Sequence, residues 1–370
     1  MGRIRVLMVL GTRPQFIKSA PLIQQLLSRR KRISLNLVHS GQHYDPEMSH
    51  VFFSQLELPR PALNLNVGSG TQVCQTATIM LRLERFLKES KPDVVIVPGD
   101  TNTTLAAAVA AAKAGYRVAH LEAGLRSGDM SMPEEINRRL TDHCSTLLFA
   151  PTRTALKNLA NEELSKNAWL TGDTMVDAMR TAIPKAKEIE ETLLESMQLE
   201  VPYVLVTLHR PSNVDDPTRL REIVRSLQAA GELRLIFPIH PRTRERLLAL
   251  GVNITRNRSR VCYIPPQGYI ETLALLKNAT CLLTDSGGMQ KEAYLLRTPC
   301  ITLRSTTEWP ETLRKQANCL INDPRMIPTA IARAGSLDIR HEPFSNPFGN
   351  GTAAQKVTKI LEDEVTPRNI

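Results

Sequence analysis

Long apolar runs, aromatic rings and closely spaced cysteines are all scarce in this sequence, and each scarcity closes off a class of protein. No stretch approaches the roughly 18 apolar residues that span a bilayer. The longest run near the N-terminus, Val6–Leu10, has the length of a strand, and nothing resembling a signal peptide precedes it. The expectation is a soluble, cytoplasmic protein without a membrane partner. Cys74, Cys144, Cys262, Cys281, Cys300 and Cys319 are widely spaced, with no CxxC pair and no Cys/His cluster. A zinc site and a disulfide framework are both disfavoured, so no metal is expected. Cys262, Cys281 and Cys300 stand in or beside apolar runs, where a thiol acts as a small hydrophobe.

Aromatics make up only 4% of the chain, against a net charge of +10 from 47 basic and 37 acidic residues. The basic residues are scattered. The nearest to a cluster, Arg29-Arg30-Lys31-Arg32, reads as a solvated helix end. That disfavours a nucleic-acid partner and suits a small polyanion such as a nucleotide.

What is present is a repeating alternation. Arg3–Leu10, Leu35–His39, Val94–Pro98, Arg117–Leu121 and Leu147–Ala150 read as short buried strands, with helices over Phe16–Ser28, Thr71–Ser90, Thr103–Ala114 and Pro133–Cys144 between them. Such alternation implies βαβ units and a parallel sheet. It restarts at Tyr203–Leu208 and continues through Leu233–Ile239, Val261–Ile264, Cys281–Thr284 and Cys300–Leu303. A charged, helix-favouring stretch, Thr174–Glu200, separates the two series, and Thr352–Val365 is again helical. The length, 370 residues, and the 42% hydrophobic content suit two domains with cores of their own. The expectation is an α/β protein of two doubly wound, Rossmann-like domains facing a central cleft. The first covers residues 1–173 and the second 174–350, and a helix in 351–370 crosses back to the first domain.

Candidate functional residues gather where strands run out. Gly11-Thr12-Arg13-Pro14 ends the first strand, placing Arg13 near a helix N-terminus, with Lys18 one helical turn further in. A generic strand–helix turn with a solvated arginine is the competing reading. Asp100 follows the strand Val94–Val97, and an N-cap on the next helix is its bland alternative. Glu122 follows the next strand; Glu134 and Arg138 lie four apart at the start of a helix and share a face. For Glu134 the alternative is a helix-dipole partner in a surface Glu–Arg bridge. Three carboxylates converging on one sheet edge supply candidates for proton transfer in both directions.

In the second series His209-Arg210 ends a strand and suits a pyrophosphate, while His240 ends another, with a structural role equally open. Thr284-Asp285-Ser286-Gly287-Gly288-Met289-Gln290-Lys291-Glu292 is the strongest single signal. A strand, a hydroxyl, two glycines and a helix offer bare N–H groups and a helix dipole to a phosphate, with Glu292 placed for ribose hydroxyls. Gly68-Ser69-Gly70 has neither a preceding strand nor a third glycine, so no nicotinamide cofactor is expected.

Taken together, GTRPQFIK, SGQHYD, GDTNTT, HLEAGLRS, PEEINR, TDH, the His209-Arg210 pair, HPRT, DSGGMQKEA and TEWPET, in this order from about Arg3 to Gly351, resemble the non-hydrolysing UDP-N-acetylglucosamine 2-epimerases. The resemblance implies a GT-B-like fold, a homodimer and a UDP-sugar substrate. It implies that Asp100, Glu122 and Glu134 are catalytic, and that Arg13, Lys18, Arg138 and His209 surround the sugar and pyrophosphate. Ser286, Gly287, Gly288 and Glu292 would hold UDP, and Gln42 and His240 would touch an allosteric second UDP-sugar. The implied reaction interconverts UDP-N-acetylglucosamine and UDP-N-acetylmannosamine through elimination to 2-acetamidoglucal and re-addition of UDP, with no cofactor. The chain departs from the common pattern at Gln15, where GTRPE is usual, at Pro211-Ser212, where HRxEN is usual, and at Trp309, where TERPE is usual. A 2-epimerase of UDP-2,3-diacetamido-glucuronate and a GT-B glycosyltransferase are the alternatives.

Overall fold

The computed structural model describes residues 2–41, 56–199, 201–255, 260–337, 339 and 345–367. The chain divides into two compact units, Met1–Arg180 with Asn346–Ile370, and Thr181–Ser345.

In the first unit, β1 (Ile4–Leu10), β2 (Ile33–His39), β3 (Leu63–Asn64), β4 (Val94–Pro98), β5 (Arg117–Leu121), β6 (Leu147–Ala150) and β7 (Ala168–Leu170) form one sheet in the order β3-β2-β1-β4-β5-β6-β7. Every pairing is parallel. A parallel sheet is covered on both faces, which is why β1 is apolar along its whole length rather than alternating. Val6, Met8 and Leu10 pack with α1 (Arg13–Ser28), whereas Leu7 and Val9 pack on the other face with α2 (Gln72–Ser90) and α3 (Asn102–Lys113). The alanines at 106–108 and at 110–111 in α3 are buried there, and their small side chains bring that helix close to the sheet. Helices α4 (Pro133–Cys144) and α5 (Arg153–Asn161) complete the alternation.

Helix α6 (Thr174–Ser196) contains the boundary between the units. The second unit holds β8 (Tyr203–Thr207), β9 (Arg234–Pro238), β10 (Val261–Ile264), β11 (Cys281–Thr284), β12 (Cys300–Leu303) and β13 (Asn318–Ile321), parallel in the order β10-β9-β8-β11-β12-β13. Its helices are α7 (Pro211–Val214), α8 (Pro217–Gln228), α9 (Pro241–Ala249), α10 (Tyr269–Asn278), α11 (Gly287–Leu296) and α12 (Ile327–Gly335). The strand order of each unit reverses once, between β1 and β4 and between β8 and β11. Ligands of doubly wound sheets bind beyond the strand ends at such points. Two Rossmann-like sheets are what the expected fold class requires, and β3, β7 and β13 are short edge strands that the pattern reading did not separate from loops.

Helix α13 (Ala353–Glu364) returns to the first unit. Its Val357 and Leu361 join the core that α1 covers. Asp177, in the first turn of α6, accepts hydrogen bonds from the buried N–H groups of Ala353 and Ala354, at the start of α13, at 3.1 and 3.0 Å. Asp173 N–H donates to the Phe348 carbonyl at 2.8 Å just before it. The Asp177 carboxylate therefore serves as the cap that Thr352 does not supply. Replacing Asp177 with Ala leaves two buried N–H groups without an acceptor and should cost about 1–2 kcal/mol. The urea midpoint of the variant measures this, and an unshifted midpoint would show that the contact contributes nothing.

Candidate active site

In the first unit, the reversal point is built around Gly11 and Gly99. A Cβ on Gly11 would collide with the hydroxyls of Ser40 and Thr103, so only glycine allows β1 to turn into α1 here. The next turn is stapled by Gln15, which is 1% exposed. Its Oε1 accepts from the N–H groups of Gly11 and Thr12 at 2.8 and 3.1 Å. Its Nε2 donates to the Pro98 carbonyl at 2.7 Å and to the hydroxyls of Thr104 and Thr101 at 2.9 and 3.1 Å. The ends of β1 and β4 are thereby held together, bringing Arg13, at the first position of α1, and Asp100 to one edge of the sheet.

Asp100 is not the cap of α3. Thr101 caps it, accepting from Thr104 N–H at 3.3 Å, so the bland reading of Asp100 falls away. Its carboxylate instead receives the Arg138 guanidinium, Nη2 to Oδ2 at 2.5 Å, and its carbonyl accepts from Asn137 Nδ2 at 2.9 Å. Glu122 takes a left-handed backbone conformation, φ +66°, which is uncommon for a residue with a Cβ and is held only where surroundings enforce it. Its carboxylate forms a buried ion pair with Lys18 Nζ. Gly99, φ +71°, leaves the space that this pair occupies: a Cβ there would stand 2.5 Å from Lys18 Nζ.

Beneath Asp100 and Glu122 lies a chain of buried polar groups. The His120 ring, fully buried, meets Asp142 Oδ1 through Nδ1 at 2.6 Å and the Gly99 carbonyl through Nε2 at 2.7 Å. Asp142 also accepts from Gly124 N–H at 3.0 Å and from Arg126 at 2.7 Å, and Arg126 continues to Glu162. Burial alone would raise the Asp142 pKa, but the His120 charge and hydrogen bond and the Arg126 guanidinium hold it below the usual carboxylate value. This network ties the ends of β4 and β5 to α4.

Arg138 itself is 1% exposed and so lies off the surface that the alternative reading assumed. Its Nη1 donates to Glu135 Oε2 at 2.7 Å, three residues back, while Nη2 reaches Asp100. Glu134 stands beside Glu135 in the first turn of α4 and is partly exposed.

In the second unit the corresponding turn is organised by Asp285, fully buried, which the sequence reading did not single out. It accepts from the N–H groups of His209, at 3.1 Å, and Arg210, at 2.9 Å, and from Asn213 Nδ2 at 3.1 Å. Its carbonyl takes Arg210 Nε at 2.8 Å. Together these bonds hold the end of β8 against the end of β11. The His209 ring stays partly open, its Nδ1 3.3 Å from Asp285. Ser286 caps α11, accepting from Met289 N–H at 3.5 Å. Gly287 is pressed against Glu308 and Trp309, with no room for a Cβ, whereas nothing stands within 3.8 Å of a Cβ on Gly288. The helix N-terminus thus presents bare backbone beside Gly288, a ready anion site. Glu292 is buried one turn further along α11. His240 caps α9 through Nδ1, 3.3 Å from Arg242 N–H, and its ring centroid lies 5.6 Å from that of His209. Gln42 lies outside the described residues. The described residues include no group of three His, Cys, Asp or Glu placed to hold a metal ion, and no helix long and apolar enough to cross a membrane.

Glu135 carries a consequence for acid stability. Burial would push its pKa up, but the Ser127 hydrogen bonds, the Arg138 charge and Arg139 together bring it down to about 2. A carboxylate whose folded pKa lies below its unfolded one stabilises fully above the unfolded value, and loses that contribution as pH falls through the folded value. For Glu135 the window runs from about 4.5 down to about 2. The gap in unfolding free energy between wild type and Glu135→Gln should be widest above that window, on the order of 3 kcal/mol, and narrow on acidification. A gap independent of pH would show that the charge contributes nothing.

The chain is similar to known proteins over nearly its whole length. The family model for UDP-N-acetylglucosamine 2-epimerase matches residues 25–362. A UDP-N-acetylglucosamine 2-epimerase of Methanocaldococcus jannaschii is 43% identical, over 97% of this chain and 99% of its own. A UDP-2,3-diacetamido-2,3-dideoxy-D-glucuronate 2-epimerase of Pseudomonas aeruginosa is 39% identical, again over 97% and 99%. The crystal structure of the M. jannaschii UDP-GlcNAc 2-epimerase in complex with UDP-GlcNAc and UDP superposes with a TM-score of 0.90, at 42% identity over 97% of this chain and 99% of that one. The chain therefore belongs to the UDP-N-acetylglucosamine 2-epimerase family.

Proposed function

We propose that this enzyme interconverts UDP-N-acetylglucosamine and UDP-N-acetylmannosamine. The observation that carries the reading is the pairing of Asp100 with Arg138 and of Glu122 with Lys18 at one sheet edge. Carboxylates held beside cations, with Glu134 on the adjoining helix, are groups equipped to move a proton. The C2 proton of a sugar has no neighbouring carbonyl to acidify it. Cleavage of the C1–O bond does so instead: UDP leaves, C1 becomes oxocarbenium-like, a carboxylate takes the C2 proton, and 2-acetamidoglucal forms. UDP then returns to C1 while an acid delivers a proton to the opposite face of C2. Only a proton and a diphosphate move, so the route requires neither nicotinamide nor metal.

In this reading the diphosphate is held by His209, the Ser286 hydroxyl and the N–H groups of Gly287 and Gly288, and the ribose by Glu292, while Arg13 is a phosphate-binding residue of the first unit. Electrostatic stabilisation of the departing UDP is the larger contribution, with proton transfer adding about 10²–10⁴-fold. Support comes from the ligands of the M. jannaschii structure. The P. aeruginosa relative, nearly as similar, favours UDP-2,3-diacetamido-glucuronate as the second substrate to assay. His240, beside His209, is the contact we propose for a second UDP-sugar acting as activator. All six cysteines are free, as a reducing compartment keeps them, which supports a cytoplasmic location.

Two groups of variants test the division of labour. Asp100→Asn, Glu122→Gln and Glu134→Gln should each lower turnover by about 10²-fold or more while UDP affinity holds. Glu292→Ala should do the reverse, weakening UDP by about 1–3 kcal/mol in calorimetry. In D₂O the wild type should place deuterium at C2 of both epimers. Three carboxylate variants with normal turnover would refute the assignment, and an unlabelled C2 would refute epimerisation itself.

We also propose a homodimer. Helix α2 leaves Val73 and Leu81 exposed at 77% and 72%, with exposed Ala77 midway, four residues from each, so one stripe of the helix is apolar and open to solvent. A second copy covering this stripe explains it. Leu81→Glu should then shift the elution volume and scattering mass from dimer to monomer; a wild-type monomer would overturn the proposal.

A further inference from the structure

Glu134 and Glu135 are neighbours on α4, but the helix turns them about 100° apart, into different surroundings. Glu135 is fully buried, and its carboxylate is saturated with donors. Oε2 accepts from Ser127 N–H at 2.8 Å, Ser127 Oγ at 2.9 Å and Arg138 Nη1 at 2.7 Å. Oε1 accepts from Arg139 Nε at 3.0 Å and, more weakly, from Gly128 N–H at 3.4 Å. A carboxylate so enclosed can neither reach a sugar nor exchange a proton with one. Its position matters through Arg138. The guanidinium is a rigid planar fork, so fixing Nη1 on Glu135 fixes the direction of Nη2, which donates to Asp100. One cation is shared between two carboxylates. Held this way, Arg138 gives Asp100 a single N–H rather than a two-pronged grip, and the second carboxylate oxygen of Asp100 stays available for proton transfer.

We infer that Glu135 is a positioning residue for the epimerisation: it aims Arg138 at Asp100 and limits how much of that guanidinium Asp100 receives. The inference rests on the assignment of Asp100 and Arg138 to the active site. Glu135 also holds the backbone at Ser127 and Gly128, so a purely structural role is the rival account, and the two differ in how effects combine. If Glu135 works through Arg138, removing Arg138's fork removes most of what Glu135 does, and the two substitutions are not additive.

The test is a double-mutant cycle on the full-length enzyme, with UDP-N-acetylglucosamine as substrate and UDP affinity measured separately. Glu135→Gln should lower kcat by about 10- to 100-fold, the scale of a misplacement near 1 Å, with KM and UDP affinity nearly unchanged. Glu135→Asp, which keeps the charge on a shorter arm, should fall between the two. It also serves as the first arm of the cycle should the Gln variant not fold. Arg138→Lys should itself lower kcat, and adding the Glu135 substitution to it should cause little further loss. Arg139→Gln, which removes a donor to Glu135 Oε1 and leaves the Oε2 bond to Arg138 in place, should leave kcat as it is. Effects that multiply, or a Glu135→Gln enzyme with wild-type kcat, overturn the inference while the Asp100 assignment stands. If Asp100→Asn and Arg138→Lys both turn over normally, the active-site assignment fails and the inference falls with it.

Discussion

A parallel sheet buried on both faces leaves its polar chemistry only one outlet, the ends of its strands, and most of what is distinctive here follows from that constraint. Val94–Val97 and Val204–Val206 are wholly apolar because helices cover both sides. Gly99-Asp100 and His209-Arg210 lie just past the ends of these strands, where side chains are free to be polar. Charges placed at such an edge are half withdrawn from water and need partners in fixed positions. The first unit meets this with Arg138, Lys18 and Arg126, and the second with Asp285, whose carboxylate gathers the backbone of His209 and Arg210.

The two units solve the same geometric problem with opposite charge. In the first, cations are buried to steady carboxylates that point toward the edge. In the second, a buried carboxylate steadies a histidine and an arginine there. The outcome is an edge of paired carboxylates and cations in the first unit and, in the second, an edge that carries a histidine, an arginine and the bare N-terminus of α11. Neither edge was chosen by overall composition: the net charge of +10 is spread over the whole chain and says little about either.

Much of this was legible in the sequence because the relevant signals are local. Strands β4, β5, β6, β10, β11 and β12 lie where apolar runs and β-branched residues put them, and the helix over Pro133–Cys144 begins at its proline. Asp100 and Glu122 could be placed at one edge from chain order alone. What was not legible depends on partners distant in sequence or on orientation within a turn. Strands β3 and β13 are too short, or too mixed in polarity, to announce themselves without a neighbour to pair with. Glu135 was indistinguishable from Glu134 until the helix rotated one inward. Asp285 sat unnoticed inside a motif read for its glycines. His120 looked like part of a strand, since its two partners, Gly99 and Asp142, are 21 and 22 residues away.

Gln15 has a further consequence. The staple it makes between the ends of β1 and β4 needs both an acceptor, for two backbone N–H groups, and a donor, for the Pro98 carbonyl. A glutamate, common at this position in similar sequences, can satisfy both only by carrying a proton, which would make the turn an acid–base group in its own right. The amide does both while remaining neutral. In this chain the junction beneath Asp100 and Glu122 is therefore uncoupled from proton exchange: it holds the geometry without taking up a proton or adding a charge beside them.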